Sequence, residues 1–217
     1  MSAPPPPRPL PFPYSRIVPP LLPRSFYARD SVEVAPDLLG TLIVGNGVVL
    51  RITEVEAYRW PGDTACHARH GRTERNAALW GPPGTAYVYL CYGLHHMLNL
   101  VTGAEGEAQA VLVRACEPVK GLSAIRRRRG GGDGPALLAG PGKVGAALDL
   151  DLSFSGRRLY ERGPLEVHRG EPPAQVLVGP RVGIAYAEPA HRRMPWRFAA
   201  AGTPWVSLRR GLRATAR

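Results

Sequence analysis

The sequence predicts a single mixed domain of the α+β class, and three observations support this prediction. The chain has 217 residues, a length that suits one large domain or one domain with a tail. Apolar residues make up 44% of it, an ordinary fraction that allows a real hydrophobic core. Short β-branched runs, bounded by glycine and proline turns, alternate with brief helical patterns. We find neither an internal repeat nor the boundary of a second domain.

The N-terminal segment differs in composition from the rest of the chain. Residues 1–23 are rich in proline and contain four consecutive prolines. Such a segment has too little apolar surface to build a core, which predicts a disordered or polyproline arm. The domain is therefore expected to span residues 24–210, with a basic tail at residues 211–217.

Two helix patterns and a hairpin pattern open the domain. Residues 25–30 are expected to form a short helix, and residues 34–40 a second one that ends at Gly40. Two β-branched runs, residues 41–44 and 48–56, flank a Gly-Asn-Gly sequence that is typical of a β-hairpin turn.

The second strand of this hairpin carries two carboxylates. Period-two alternation places Ile52, Glu54, Glu56 and then Tyr58 on one face. Two carboxylates at this spacing disfavour each other's ionisation. An exposed edge face explains the pattern, and so does a catalytic carboxylate with a neighbour, so both interpretations stay open.

A polar segment with no regular pattern follows at residues 59–81. It contains His67, Arg69 and Arg72. Long irregular segments inside compact domains are usually functional, and here the basic side chains are expected to meet phosphates. A lone histidine is more often a structural hydrogen-bonding group than a catalyst, so spacing alone gives His67 no role.

The most informative stretch, residues 84–99, places three tyrosines within six positions. Each buried hydroxyl needs a partner, so a core strand rarely contains so many. Alternation puts Tyr87 and Tyr89 on one face, and Tyr92-Gly93 predicts a turn with Tyr92 at its tip. A single tyrosine here is consistent with core packing, but the group, beside an exposed tip, indicates stacking against nucleic-acid bases.

Further strands are predicted in the second half of the chain. Arg114 lies inside an apolar strand at residues 110–115, where an arginine needs an anion or a carbonyl partner. Other strands are expected at residues 158–160, 165–168, 175–178, 182–186 and 204–207.

The region between these strands is rich in glycine and basic residues. Residues 121–129 are expected to be helical and to lead into a flexible Arg/Gly insert at residues 126–136. Its arginines form a solvated basic patch or contact DNA. The sequence Gly140-Pro141-Gly142-Lys143 lacks the upstream glycine and the Ser/Thr of a phosphate loop. It predicts a turn into a helix whose N-terminus can hold a DNA phosphate.

Net charge is the strongest compositional signal. The chain carries a formal charge of +11, which indicates a polyanionic partner, most often nucleic acid. Nearly all basic residues are arginine, although genome composition explains that preference as well as phosphate binding does. Three widely separated cysteines fit a reducing compartment and predict neither a disulfide framework nor a metal site. With no membrane span or signal peptide in the pattern, a cytoplasmic location is expected.

Several motifs, in order along the chain, resemble those of the alkyladenine (3-methyladenine) DNA glycosylase family of base-excision repair. The resemblance covers residues 24–208, and the ordered set is far more specific than any one fragment. The matching motifs are T-E-V-E-A-Y at residues 53–58, His67, residues 87–99, V-L-V-R-A-C-E-P at 111–118, G-P-G-K-V at 140–144, R-V-G-I-A-Y at 181–186, and P-W-R-F and G-T-P-W-V-S near the end.

This resemblance implies a largely antiparallel, curved β-sheet and a β-hairpin that enters the minor groove of duplex DNA. Tyr92 would be the wedge that fills the space left by a flipped nucleotide. Arg69, Arg72 and Lys143 are the expected phosphate contacts. The implied partner is double-stranded DNA containing damaged purines, bound by a monomer that needs no cofactor.

The resemblance also implies roles for the residues of the site. Glu56 would activate the water and Arg114 would help to hold it, whereas Glu54 receives no role. Hydrolysis of an N-glycosidic bond develops positive charge on the sugar, which a carboxylate stabilises. The remaining assignments are a base pocket made of Tyr58, His67 and Tyr89, and a gate against the 2-amino group of guanine at Asn99.

Alternative functions are weighed against this one. A bifunctional glycosylase needs an amine nucleophile, and the available amines, Lys120, Lys143 and the N-terminus, all lie outside the group of site residues from Glu56 to Asn99. Zinc-dependent base deamination needs motifs that the chain lacks. A protein that binds damaged or distorted duplex DNA without cleaving it remains the open alternative. The basic net charge and a wedge at Tyr92 would suit such a protein as well as they suit an enzyme. An RNA-binding protein would show no preference for lesions.

Overall fold

A nine-stranded antiparallel β-sheet organises the fold of the computed structural model, which describes residues 19–214. The strands are β1 (Leu42–Gly45), β2 (Val48–Arg59), β3 (Ala86–Cys91), β4 (His95–Thr102), β5 (Gln109–Lys120), β6 (Leu165–His168), β7 (Val176–Gly179), β8 (Arg197–Ala200) and β9 (Arg213–Ala214). The order of the main path of the sheet is β3-β4-β5-β2-β8-β7-β9, and β1 joins β2 to β6. This open sheet confirms the predicted α+β class.

Short helices fill the connections between strands. The second helix, Ser31–Asp37, begins earlier than predicted because Asp30 caps it, accepting a 2.8 Å hydrogen bond from the Val32 amide. No helix among residues 19–214 is long and apolar enough to cross a membrane. The α-helices are α1 (Arg24–Tyr27), α2 (Ser31–Asp37), α3 (Leu122–Arg128), α4 (Pro141–Ala147) and α5 (Pro189–Arg193), and the 3-10 helices are Glu74–Trp80, Gly134–Leu137 and Leu152–Phe154.

The two faces of the sheet carry different clusters of buried side chains. On β3, Val88 packs into the main core, while Tyr87 packs into a second, smaller cluster with Leu79 and Val101. This alternation confirms that Val88 and Tyr87 lie on opposite faces of β3, as predicted. Leu90 and Cys91, by contrast, both line a cavity beside the second cluster. Tyr58 and Tyr89 pack partly buried against the second cluster, so the polar site forms on that face of the sheet.

Strand β2 lies in the middle of the sheet and contains a break in register. The pairing with β5 shifts between Ile52 and Glu54, and Ile52 packs into the main core with Val55 and Ala57. The prediction that Ile52 shares a face with Glu54 was therefore wrong, because the shift interrupts simple alternation. Glu54 and Glu56 are both fully buried, which also rules out an exposed edge face.

Three of the predicted strands do not form. Residues 158–160 make only an isolated bridge, between Arg158 and Thr85. Residues 182–186 form turns, with Gly183 at a φ of 79°, and residues 204–207 also lack strand pairing. In two of these segments a backbone amide donates to a buried carboxylate: Val182 to Glu56 and Ser207 to Glu54. The strands predicted at residues 165–168 and 175–178 are present as β6 and β7.

Both ends of the domain extend beyond the predicted boundaries. Leu22 is buried and its amide donates a 2.9 Å hydrogen bond to the Val167 carbonyl, so ordered structure begins before residue 24. Residues 1–18 of the proposed arm lie outside the described residues. At the other end β9 pairs with β7 and takes up the start of the predicted tail, and residues 215–217 are again outside.

The predicted Arg/Gly insert is partly helical, and part of its basic patch points inward. Arg128 donates hydrogen bonds of 2.8 Å to the carbonyls of Ala147 and Asn46, and Arg129 donates to Leu137. These two side chains hold loops together and do not form a free cationic surface. The flexibility of residues 126–136 stays a prediction.

Candidate active site

A cavity of about 600 Å³ opens on the second face of the sheet. Strands β2 to β5 form its floor, and the irregular segments near residues 65–67 and 182–186 form its sides. All four residues predicted for the base pocket line it. The residues that line the cavity include Tyr58, His67, Tyr87, Tyr89, Asn99, Arg114, Val182 and Tyr186.

Glu56 lies buried beneath this cavity, and both of its carboxylate oxygens accept hydrogen bonds. The Tyr58 hydroxyl donates to Oε2 at 2.8 Å and Arg114 Nη1 donates to it at 3.2 Å. The backbone N–H of Val182 donates to Oε1 at 2.7 Å. Three donors and no exposure keep this carboxylate fixed and compensate for its burial.

Arg114 connects the two carboxylates of β2. Besides the contact with Glu56, its Nε lies 3.5 Å from Oε1 of Glu54, and its Nε and Nη2 donate to Ser207 Oγ at 3.3 Å. Burial of the guanidinium acts to lower the pKa of Arg114, but Glu56 and Glu54 raise it above its ordinary value. The sequence predicted that this arginine needs an anion or a carbonyl partner, and the structure provides two carboxylates.

Histidine and tyrosine rings form one wall of the cavity. The rings of His67 and Tyr89 meet edge to face at 4.4 Å, and those of Tyr87 and Tyr89 lie 5.5 Å apart. His67 Nδ1 and the Tyr87 hydroxyl share a 3.0 Å hydrogen bond. His67 as a residue is exposed, but desolvation of its ring beside the tyrosines, followed by the charges of Arg75 and Arg69, lowers the pKa of His67 to about 4. The imidazole is therefore neutral at pH 7.

Tyr58 forms another wall of the cavity. On the far side of its ring lies a buried ion pair, Arg181 with Asp63, which the sequence patterns did not predict. The Arg181 guanidinium lies 4.6 Å from the centre of the Tyr58 ring. Its two terminal nitrogens donate to the Asp63 carboxylate at 2.6 and 2.8 Å, with both side chains fully buried. Burial, followed by the charge of Glu56, raises the pKa of Tyr58. Arg181 is the first residue of the R-V-G-I-A-Y motif, so the motif was the feature of the sequence that could have indicated its role.

Asn99 lies at the floor of the cavity, opposite Tyr87 in the pairing of β3 with β4. Its side-chain nitrogen donates to the Tyr87 carbonyl at 3.1 Å. Because Asn99 is buried and bonded, its amide is held in one place beside the tyrosine wall.

Tyr92 stands at the turn between β3 and β4, away from the buried residues. It is 90% exposed and has a φ of 51°, a left-handed conformation that is uncommon outside glycine. Helix α4 packs against β4 behind this turn, and a Cβ atom on Gly145 would lie 2.0 Å from the His96 carbonyl oxygen. The glycine therefore permits the close approach that supports the hairpin.

The predicted phosphate-binding side chains lie outside the cavity lining. Arg69 and Arg72 are exposed, and Arg69 covers the ring of Tyr186 at 4.9 Å. Lys143 is half-buried on α4. Arg75, which the sequence analysis did not select, lines the cavity and donates to the Leu90 carbonyl at 3.1 Å.

Comparisons with known proteins agree with this arrangement. Residues 25–204 match the family model of methylpurine-DNA glycosylase. A Nitrosococcus oceani protein assigned as a 3-methyladenine DNA glycosylase is 67% identical over 189 residues, or 87% of this chain and 94% of the relative. The DNA-3-methyladenine glycosylase of Arabidopsis thaliana is 55% identical over 189 residues, or 86% of this chain and 74% of the relative.

Fold, site and relatives define the class of protein: this chain is a DNA glycosylase, an enzyme of DNA repair. It belongs to the methylpurine-DNA glycosylase family. The family membership that the motifs predicted is therefore confirmed. Because the chain is an enzyme, the alternative of a non-catalytic DNA-binding protein, which the sequence left open, no longer applies.

Proposed function

We propose that this enzyme hydrolyses the N-glycosidic bond of damaged purines that have rotated out of duplex DNA into the cavity. The proposal rests on one observation: Glu56 is a buried carboxylate with three hydrogen-bond donors, at an aromatic cavity of about 600 Å³. Alkylated and deaminated purines are the proposed substrates, including 3-methyladenine, 7-methylguanine, hypoxanthine and ethenoadenine.

In this mechanism Glu56 acts on both water and sugar. Cleavage of the bond leaves positive charge on the deoxyribose, which a nearby carboxylate stabilises. The same carboxylate takes a proton from the attacking water, as a general base does. The Tyr58 hydroxyl, Arg114 and the Val182 amide hold the Glu56 carboxylate in one orientation, so little reorganisation is needed during the reaction.

Stacking would hold the damaged base. Tyr58, His67 and Tyr89 present ring faces and edges to the cavity, and a positively charged alkylpurine is attracted to tyrosine π-electrons. Neutral lesions gain the stacking without this charge contribution and need protonation to leave well. The lowered pKa of His67 argues against an imidazolium acid at pH 7, although its neutral N–H can still donate a hydrogen bond.

Selection of the lesion would have two sources. Damaged or mispaired bases cost less free energy to flip than intact ones. The fixed amide of Asn99 lines the cavity and would meet the 2-amino group of guanine, which disfavours the normal base.

Tyr92, which lines the cavity at its exposed edge, and basic side chains outside the cavity would bind the duplex. Tyr92 would enter the space left by the flipped nucleotide, and insertion of this kind unstacks a base step. Arg69, Arg72 and Lys143 would contact phosphates, and affinity should weaken as salt rises. One domain meeting one flipped base would act as a monomer on DNA in the cytoplasm.

Single-turnover base release from duplexes that contain one defined lesion tests the proposal. Hypoxanthine, ethenoadenine, 7-methylguanine and intact guanine form the panel, and strand nicks are scored before and after hot alkali. Neither lysine lines the cavity, so we expect nicks only after alkali, as for a monofunctional enzyme. Nicking without alkali, or equal release of intact guanine, would contradict the proposal.

A further inference from the structure

Glu54 is a second buried carboxylate, and the chemistry proposed above does not use it. It is fully buried two residues from Glu56. Its Oε1 lies 3.1 Å from Arg197 Nη1 and 3.5 Å from Arg114 Nε, and its Oε2 accepts from the Ser207 amide at 2.6 Å. A buried charge with this many partners costs less than an unpaired one but is still expensive to keep. A side chain that only filled space in the core would not need to carry a charge.

Arg114 is the link between Glu54 and the catalytic carboxylate. One end of the guanidinium reaches Glu56 through Nη1, at 3.2 Å, and the other reaches Glu54 through Nε. The side chain is only 9% exposed, so water screens its charge weakly. A change in the ion pair between Glu54 and Arg114 therefore changes the electrostatic field at the Glu56 carboxylate.

The buried charges form an alternating row: Arg197, Glu54, Arg114 and Glu56. Two positive and two negative charges balance within it. Glu56 also faces the hydroxyl of Tyr58 and the amide of Val182, while Arg181 lies behind Tyr58 and is paired with Asp63. Without Glu54, the positive charges of Arg114 and Arg197 would act on Glu56 unopposed, and a carboxylate in such a field is a weak base.

We propose that Glu54 is a positioning residue that shares Arg114 with Glu56 and thereby keeps Glu56 basic enough to take a proton from water. The inference rests on the proposed function, because it assumes that Glu56 is the base. It also explains why the strand carries two carboxylates where hydrolysis uses one.

The pH dependence of single-turnover base release from a hypoxanthine duplex tests this inference. The rate falls on the acid side as the catalytic carboxylate becomes protonated. For Glu54→Gln we expect that acid limb to move to lower pH by about one unit, because the field at Glu56 becomes more positive. The plateau rate should fall by about tenfold, because a weaker base takes the proton less readily.

A second variant gives the opposite sign. Arg197→Gln removes the cation on the far side of Glu54, so Glu54 should draw Arg114 away from Glu56 and move the limb to higher pH. This variant gives an independent test if Glu54→Gln folds poorly. Glu166→Gln is the matched control, because it removes a buried carboxylate on β6 that pairs with His168 and Arg162. The acid limb of the pH–rate profile of Glu166→Gln should coincide with that of the wild type.

The result that overturns the inference is a lower rate for Glu54→Gln with the acid limb unmoved, or shifts of the same sign in both variants. Either would give Glu54 a structural role only. Glu56→Gln, measured in the same series, separates this failure from that of the proposed function. If Glu56→Gln still released base, the function itself would be wrong, whatever the behaviour of Glu54.

Discussion

The hydroxyl of Tyr58 donates a 2.8 Å hydrogen bond to Oε2 of Glu56, two residues earlier on the same strand. In the proposed mechanism, these two positions on β2 would supply both the ring that stacks on the base and a hydrogen-bond donor for the catalytic carboxylate. On its other side the Tyr58 ring lies against Arg181, next to Val182, whose amide also donates to Glu56. Under the proposed mechanism, base stacking and water activation would therefore be coupled through Tyr58.

Tyr58→Phe keeps the ring and removes this donor. We expect single-turnover base release to slow by about tenfold to hundredfold, because hydrogen bonds to charged groups contribute about 1.5–3 kcal/mol. Tyr27→Phe is the matched control: its hydroxyl is buried and has no hydrogen-bond partner among the described residues. Loss of that hydroxyl should leave the rate unchanged and stability equal or higher. Equal rates for both variants would remove Tyr58 from the mechanism.

Tyr92→Ala tests the turn of the hairpin. Because the side chain is 90% exposed, stability should change by no more than about 0.5 kcal/mol. Affinity for lesion duplex should fall by about tenfold, since stacking on a base contributes about 1–3 kcal/mol. Leu152→Ala, at another exposed apolar position, should leave affinity unchanged. Fluorescence anisotropy at fixed salt makes the comparison, and unchanged binding by Tyr92→Ala would show that Tyr92 is no wedge.

Asn99→Ser shortens the side chain at the floor of the cavity. The smaller group leaves room for an exocyclic amine, so release of guanine-type bases should rise relative to hypoxanthine. Competition between the two duplexes in one reaction measures this ratio directly. A substrate profile identical to that of the wild type would count against the gate.

His67 should make stability depend on pH. Its pKa is about 4 in the folded protein, below its ordinary value of 6.5, so the unfolded chain binds the proton more readily. The contribution of neutral His67 is complete above about pH 6.5 and is lost as pH falls toward 4. Urea unfolding at pH 7 and pH 5 should show a smaller loss for His67→Gln than for the wild type. An equal loss would mean that His67 titrates normally.

Local patterns were enough to predict much of the fold. Alternation on β3 assigned Tyr87 and Val88 to opposite faces correctly, and the Gly-Asn-Gly turn placed β1 beside β2. These features depend on neighbouring residues, which periodicity describes well. The break in register that moves Ile52 into the main core depends on how β5 pairs, and no pattern within β2 reveals it.

The site was predictable as a set of residues but not as a network. The family motifs brought Glu56, Arg114 and Asn99 together, and the cavity contains or adjoins all of them. Arg197 pairs with Glu54 from 143 positions away, and Arg181 with Asp63 from 118. Only the folded chain shows such partners, because charge pairing at this separation has no local signature.

Glu56→Gln most directly tests the claim that Glu56 activates the water. The amide keeps the shape of the side chain but cannot take a proton from water. We predict that the variant binds a hypoxanthine duplex about as tightly as the wild type and releases no base above background in a single turnover. Release at a rate close to that of the wild type would contradict the account, since another group would then be the base.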